Sequence, residues 1–124
     1  MPLGDVWDVM KEQRVVVGSL NSLGAMFTTA PVTKTADFTV ADTETVLISD
    51  RGATNTVTLP SAALNAGRIL IIKTIQAFTV VSATSNVIPR IGGSAGTAIL
   101  AATDGAWALL VSNGTAWEIM AGTP

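Results

Sequence analysis

The sequence predicts a mainly β protein, an antiparallel β-sandwich or barrel-like knob preceded by an N-terminal arm that carries a short helix. Three observations lead there. Thr56-Val57-Thr58-Leu59 alternates cleanly and stops at Pro60, the pattern of a strand with one face on a core and the other in water. Ile69-Leu70-Ile71-Ile72 is apolar without a break, the pattern of a strand covered on both faces. From Phe38 onward, short segments of this kind alternate with turn residues at fairly regular spacing. That spacing suits a sandwich or barrel better than alternating strand and helix units.

A chain of 124 residues makes one small β-domain with one core. The second cover over Ile69–Ile72 is therefore expected from another copy of the chain or from a partner. Side chains alternate across a strand, so one of the pairs Ile69/Ile71 and Leu70/Ile72 should face the core and the other a subunit contact. Composition agrees. The chain is 48% hydrophobic and only 13% charged, against about 25% charged in ordinary soluble domains. A homo-oligomer is the expected state.

Taken in order, residues 1–35 form the expected docking arm and residues 36–124 the β-knob. Leu3, Val6, Trp7 and Met10 recur at the spacing of one helical face, with Asp5, Asp8, Lys11 and Glu12 on the others. A helix of two or three turns is marginal alone, so its apolar face wants a surface from elsewhere. Trp7 suits an interface anchor. Thr28-Thr29-Ala30-Pro31 reads as a linker. Strands are expected at residues 38–40, 45–49, 56–59, 68–74, 78–82, 87–88, 97–101, 106–111 and 117–120. Asp50-Arg51-Gly52, Asn65-Ala66-Gly67, Gly92-Gly93, Asp104-Gly105 and Asn113-Gly114 supply the turns. The last two should join the final three strands into a meander. Pro89 makes the segment around residues 87–91 an edge strand or no strand at all.

Several function classes lack their residues. The chain has no histidine, cysteine or tyrosine, so serine–histidine and thiolate catalysis have no machinery. Gly92-Gly93-Ser94-Ala95-Gly96 fits a nucleophile-elbow pattern but precedes no helix pattern, and reads as a flexible turn. Asp37, Asp42, Glu44, Asp50, Asp104 and Glu118 are the acid–base candidates. Asp50 and Asp104 belong to turns, and Asp42 and Glu44 look like solvated positions at a strand entrance. Neither a metal nor any other cofactor is expected, and no enzyme. Net charge is −2 with seven scattered basic residues, which gives nucleic acid no cationic patch. Apolar runs fall far short of the ~20 residues a membrane helix needs. Trp107 and Trp117 are expected in the core.

The β-region resembles a recurrent small domain of tailed-bacteriophage structural proteins, found in head decoration (cement) and tail fibre proteins. The similarity lies in Thr56-Val57-Thr58-Leu59-Pro60, in Ala66-Gly67-Arg68-Ile69-Leu70-Ile71-Ile72-Lys73, in Phe78-Thr79-Val80, and in the closing stretch from Trp107 to Ile119. The resemblance implies a trimeric β-rich knob that serves as a virion building block on the capsid exterior. Its partners would be its own copies and the major capsid protein or another virion protein, with no nucleic acid, membrane or small-molecule substrate. A tail fibre needs a long shaft, and no shaft repeat is present, so decoration is the expected role. A tail fibre or receptor-binding tip that binds host surface glycan is the alternative.

Overall fold

The computed structural model describes residues 29–124. Ten strands form two sheets: β1 (Val32–Lys34), β2 (Phe38–Thr39), β3 (Val46–Ser49), β4 (Asn55–Thr58), β5 (Ile69–Thr74), β6 (Val80–Ser82), β7 (Val87–Ile88), β8 (Ala98–Leu100), β9 (Trp107–Ser112) and β10 (Trp117–Thr123). The larger sheet runs β1-β3-β5-β9-β10-β7 and the smaller β2-β4-β6-β8. The protein is mainly β, with no helix among the described residues.

The antiparallel expectation is corrected. Five of the eight strand pairings are parallel, namely β1–β3, β3–β5, β2–β4, β4–β6 and β7–β10. Successive strands from β1 to β6 alternate between the sheets, so the chain winds around the core and meets itself one turn later, running the same way. Parallel neighbours need a crossover, and here the opposite sheet supplies it. The turn residues were rightly placed, but a turn shows that a chain bends and not which sheet it enters.

Uneven turns explain why no sequence repeat announces the winding. In the larger sheet Val32 lies beside Leu47 and Leu47 beside Ile72, offsets of 15 and 25 residues. The longer turn contains the link Leu59–Arg68, which crosses one end of the core. Gly67, at φ +84°, lets this link bend back, and its amide donates to Ser112 O at 2.8 Å.

Antiparallel pairing appears where the winding ends. β9 pairs with β5 and β10 with β9. The Asn113-Gly114 hairpin is present. Only Gly114 has positive φ, at +91°. Asn113 instead accepts from the Thr115 and Ala116 amides through its own side chain, each at 2.8 Å. The expected meander does not form, because β8 pairs with β6 in the smaller sheet and Asp104-Gly105 carries the chain across to the larger one. β7 is an edge strand that ends before Pro89. A strand not expected, β1, pairs with β3, so the larger sheet begins ahead of residue 36.

The core lies between the sheets, with Leu47, Val57, Leu70, Ile72, Val80, Val87, Leu110 and Trp117 all at 0–1% exposure. Trp117 donates from Nε1 to Pro60 O at 2.9 Å, which satisfies its one polar atom while burying the ring. At the other end of the core the apolar layer gives way to Ser49, Asn55 and Thr74, all buried. Asn55 Nδ2 donates to Ser49 Oγ at 2.9 Å, and Thr74 Oγ1 donates to Gln76 O at 2.8 Å.

Candidate assembly surface

Strand register decides what each sheet shows to the outside. On the larger sheet, Leu70 and Ile72 point into the core while Ile69 and Ile71 alternate with them and stay half-buried. Pairing extends that outward face across the sheet in three rows. Val46, Ile71, Leu109 and Ala121 form the middle row. Ile69, Val111, Glu118 and Ile88 form one flank, and Ile48, Lys73, Trp107 and Thr123 the other. The result is a broad aliphatic face that carries one cation and one anion.

Two irregularities keep the face in line at β10. Register slips between Ile119 and Ala121, so Met120 is the extra residue of a bulge. Beyond it, Gly122 sits at φ +125°, and a Cβ there would lie 2.2 Å from Trp107 O. Only glycine lets β10 approach β9 so closely.

The smaller sheet behaves differently. Its outward positions include Thr39 beside Thr58 and Thr56 beside Val81, with Ala98 on β8. Threonine hydroxyls hydrogen-bond water, so the β2–β4 part of this face is at ease in solvent.

The four residues predicted to divide between core and contact are therefore sorted, with Leu70 and Ile72 inside and Ile69 and Ile71 outside. The arm residues Leu3, Val6, Trp7 and Met10 lie outside the described residues. Trp107 corrects an expectation. It is 37% exposed on the outward face, while Trp117 occupies the core as predicted. Val46, Ile48, Leu109 and Val111 were not singled out as surface residues. The run Ala106-Trp107-Ala108-Leu109-Leu110-Val111 carries the same unbroken apolar signal as Ile69–Ile72 and could have disclosed them.

Three of the carboxylates, Asp37, Glu44 and Asp50, hold local structure. Asp37 accepts from Arg51 and from the Thr56 amide, and Asp50 accepts from Gln76 Nε2 at 2.7 Å. Glu44 is buried, not solvated, at 8% exposure. It accepts from the Ala41 amide and pairs with Lys34 Nζ, each at 2.8 Å. Burial alone would raise its carboxyl pKa. The Ala41 amide and the Lys34 ammonium, with the Arg68 charge beyond, more than offset this and hold it below its ordinary value. Arg68 donates through Nη2 to Ala41 O at 2.8 Å and Glu44 O at 2.9 Å, tying the loop before β3 to the start of β5.

Among the described residues, no cluster of three or more acidic, histidine or cysteine side chains could hold a metal. An open cleft of about 310 Å³ lies along β6 and β8, lined mainly by Val81, Pro89, Arg90, Ala98, Leu100 and Pro124. No family model, curated protein or solved structure matches the chain.

Proposed function

We propose that this chain is a structural protein of a tailed-bacteriophage virion, working as a homotrimeric decoration (cement) protein that stabilises the head from the capsid exterior. The observation that carries an assembling role is the aliphatic outward face of the larger sheet. Removing apolar surface from water stabilises by about 25 cal/mol per Å², so such a face is a standing drive toward association. The virion setting rests on the sequence resemblance from Thr56 to Ile119. The residues ahead of β1 act as the docking arm, with Leu3, Val6, Trp7 and Met10 against the major capsid protein. Nothing in this role calls for catalysis, a cofactor, nucleic acid or a membrane.

The test is rebinding of the purified full chain to capsids stripped of their decoration. Trp7→Ala should weaken rebinding by about 2 kcal/mol, roughly thirtyfold, as loss of a buried anchor does. Unchanged capsid occupancy for that variant would remove Trp7 from the docking contact. One observation favours the tail-tip reading, the partly exposed Trp107 ring, which could stack on a sugar. Specific binding of the intact protein on a glycan array, with none to capsids, would establish that reading instead.

A further inference from the structure

We infer that the aliphatic face of the larger sheet is covered by the same face of other copies of this chain, with Ile71 and Leu109 nearest the symmetry axis. This deepens the assembling half of the proposed function and is independent of the virion half. Four features of the face select a second copy as the occupant.

The first is position. Ile71 and Leu109 are directly paired on neighbouring strands, and with Val46 and Ala121 they form the middle row of three. A contact centred on them has Val46, Ile69, Trp107, Val111 and Ala121 around it, with Lys73 and Glu118 at its margins, an apolar centre with charges outside it. The second is charge. Lys73 on β5 and Glu118 on β10 are opposite in sign, on opposite flanking rows, with β9 between them. A face with charge of one sign would repel its own copy, whereas this one can set Lys73 of one subunit near Glu118 of the next. Arranged this way the face is complementary to itself.

The third is extent. Six strands of two to seven residues, at about 3.3 Å per residue and about 4.8 Å apart, give a sheet face on the order of 450 Å². Two such faces together come close to the roughly 1,000 Å² that a specific interface needs. The fourth is contrast within the molecule. The smaller sheet has four short strands, and its outward positions mix Thr39, Thr56 and Thr58 with Val81 and Ala98. Only the larger sheet carries aliphatic side chains in three adjoining rows, which is what a one-sided contact between copies requires.

The absence of cysteine makes the test clean. Leu109→Cys in the full chain should give a disulfide-linked species of twice the 12.7 kDa chain mass on mild oxidation, because symmetry brings position 109 of each copy together. Thr58→Cys, on the other outer face, should stay uncrosslinked. Light scattering should report an oligomer for the wild type and a folded monomer for Ile71→Asp, with fold confirmed by circular dichroism. A monomeric wild type would overturn the inference. So would an oligomer that survives Ile71→Asp, or one whose Leu109→Cys form crosslinks no better than Thr58→Cys, since residues 1–28 or another surface would then cover the face. If Ile71→Asp does not fold, the crosslinking pair decides alone. An oligomer built on this face that ignores capsids would leave the inference standing and defeat the decoration role. A capsid-binding monomer would do the reverse.

Discussion

The two outer faces of this sandwich are built on the same backbone and carry opposite chemistry. On the smaller sheet Thr39, Thr56 and Thr58 face outward beside Val81 and Ala98, and on the larger sheet Val46, Ile48, Ile69, Ile71, Leu109 and Val111 do. Strand formation does not demand the difference, since threonine and the branched aliphatics fit a pleated sheet about equally well. Hydration separates them. A threonine face gains little from being covered, whereas an aliphatic one gains for every Å² removed from water. The comparison teaches that a strand with apolar residues on both sides is informative about its surroundings, not only about its fold.

The sharpest way to break the comparison is to put one charge on each side of β5. Leu70→Asp places a carboxylate at a position with 0% exposure, with nothing to pair it. Even neutralised by protonation, an unpaired buried carboxyl together with the lost leucine packing costs an amount comparable to the roughly 5–15 kcal/mol that typically holds a domain together. No cooperative melting transition should remain, in contrast to the folded monomer expected of Ile71→Asp one residue away. A well-folded Leu70→Asp protein would mean that the inward and outward assignments of β5 are exchanged.

A smaller effect sharpens the role of the β9–β10 pairing, which sets the alignment of the outward rows. Gly122→Ala drives a methyl into Trp107 O and holds a side chain at positive φ. It should cost roughly 1–3 kcal/mol, the scale of strained backbone positions, read as a lower denaturant midpoint. Assembly should weaken with it, because Ala121 and Thr123 flank the displaced residue. An unchanged midpoint would show that β10 can move away from β9 at no cost.

The smallest effect lies away from both faces, at the rim. Glu44 has a folded pKa below its ordinary 4.5, so it binds protons less readily folded than unfolded. Its contribution is fully present above about pH 4.5 and is lost as pH falls through the folded value. Melting temperature should therefore be nearly flat from about pH 6 to 8, where carboxylates are ionised and no histidine titrates, and should decline in acid. Glu44→Gln should lower stability at neutral pH and flatten part of that acid decline. A variant with the wild-type acid profile would assign the decline to other carboxylates.

Much of this architecture could be read from local sequence, and the failures have a common cause. All nine expected strands are present, because period-two alternation and glycine turns are local signals. The pairing of those strands was not legible, because Asp50-Arg51-Gly52 and Asp104-Gly105 look the same whether the next strand joins the same sheet or the opposite one. β1 escaped notice because Val32-Thr33-Lys34 is too short to show a period. Glu44 looked solvated because its partners are Lys34, ten residues earlier, and Arg68, 24 residues later. Trp107 looked like core because an aromatic ring on a strand usually is. Ile69–Ile72 and Ala106–Val111 were the places where local sequence showed that apolar residues occupy both sides of a strand.

Strand order has a consequence in time. β9 and β10, which follow the other eight strands in the chain, lie inside the larger sheet between β5 and β7. Until they exist, β5 lacks its second neighbour and β7 lacks any ladder in that sheet. The middle row of the outward face likewise has no Leu109 and no Ala121. A nascent chain that has reached only β8 therefore owns most of its turns but not the surface through which copies would meet. If copies do meet through that face, the contact would become available only to chains that have completed β9 and β10.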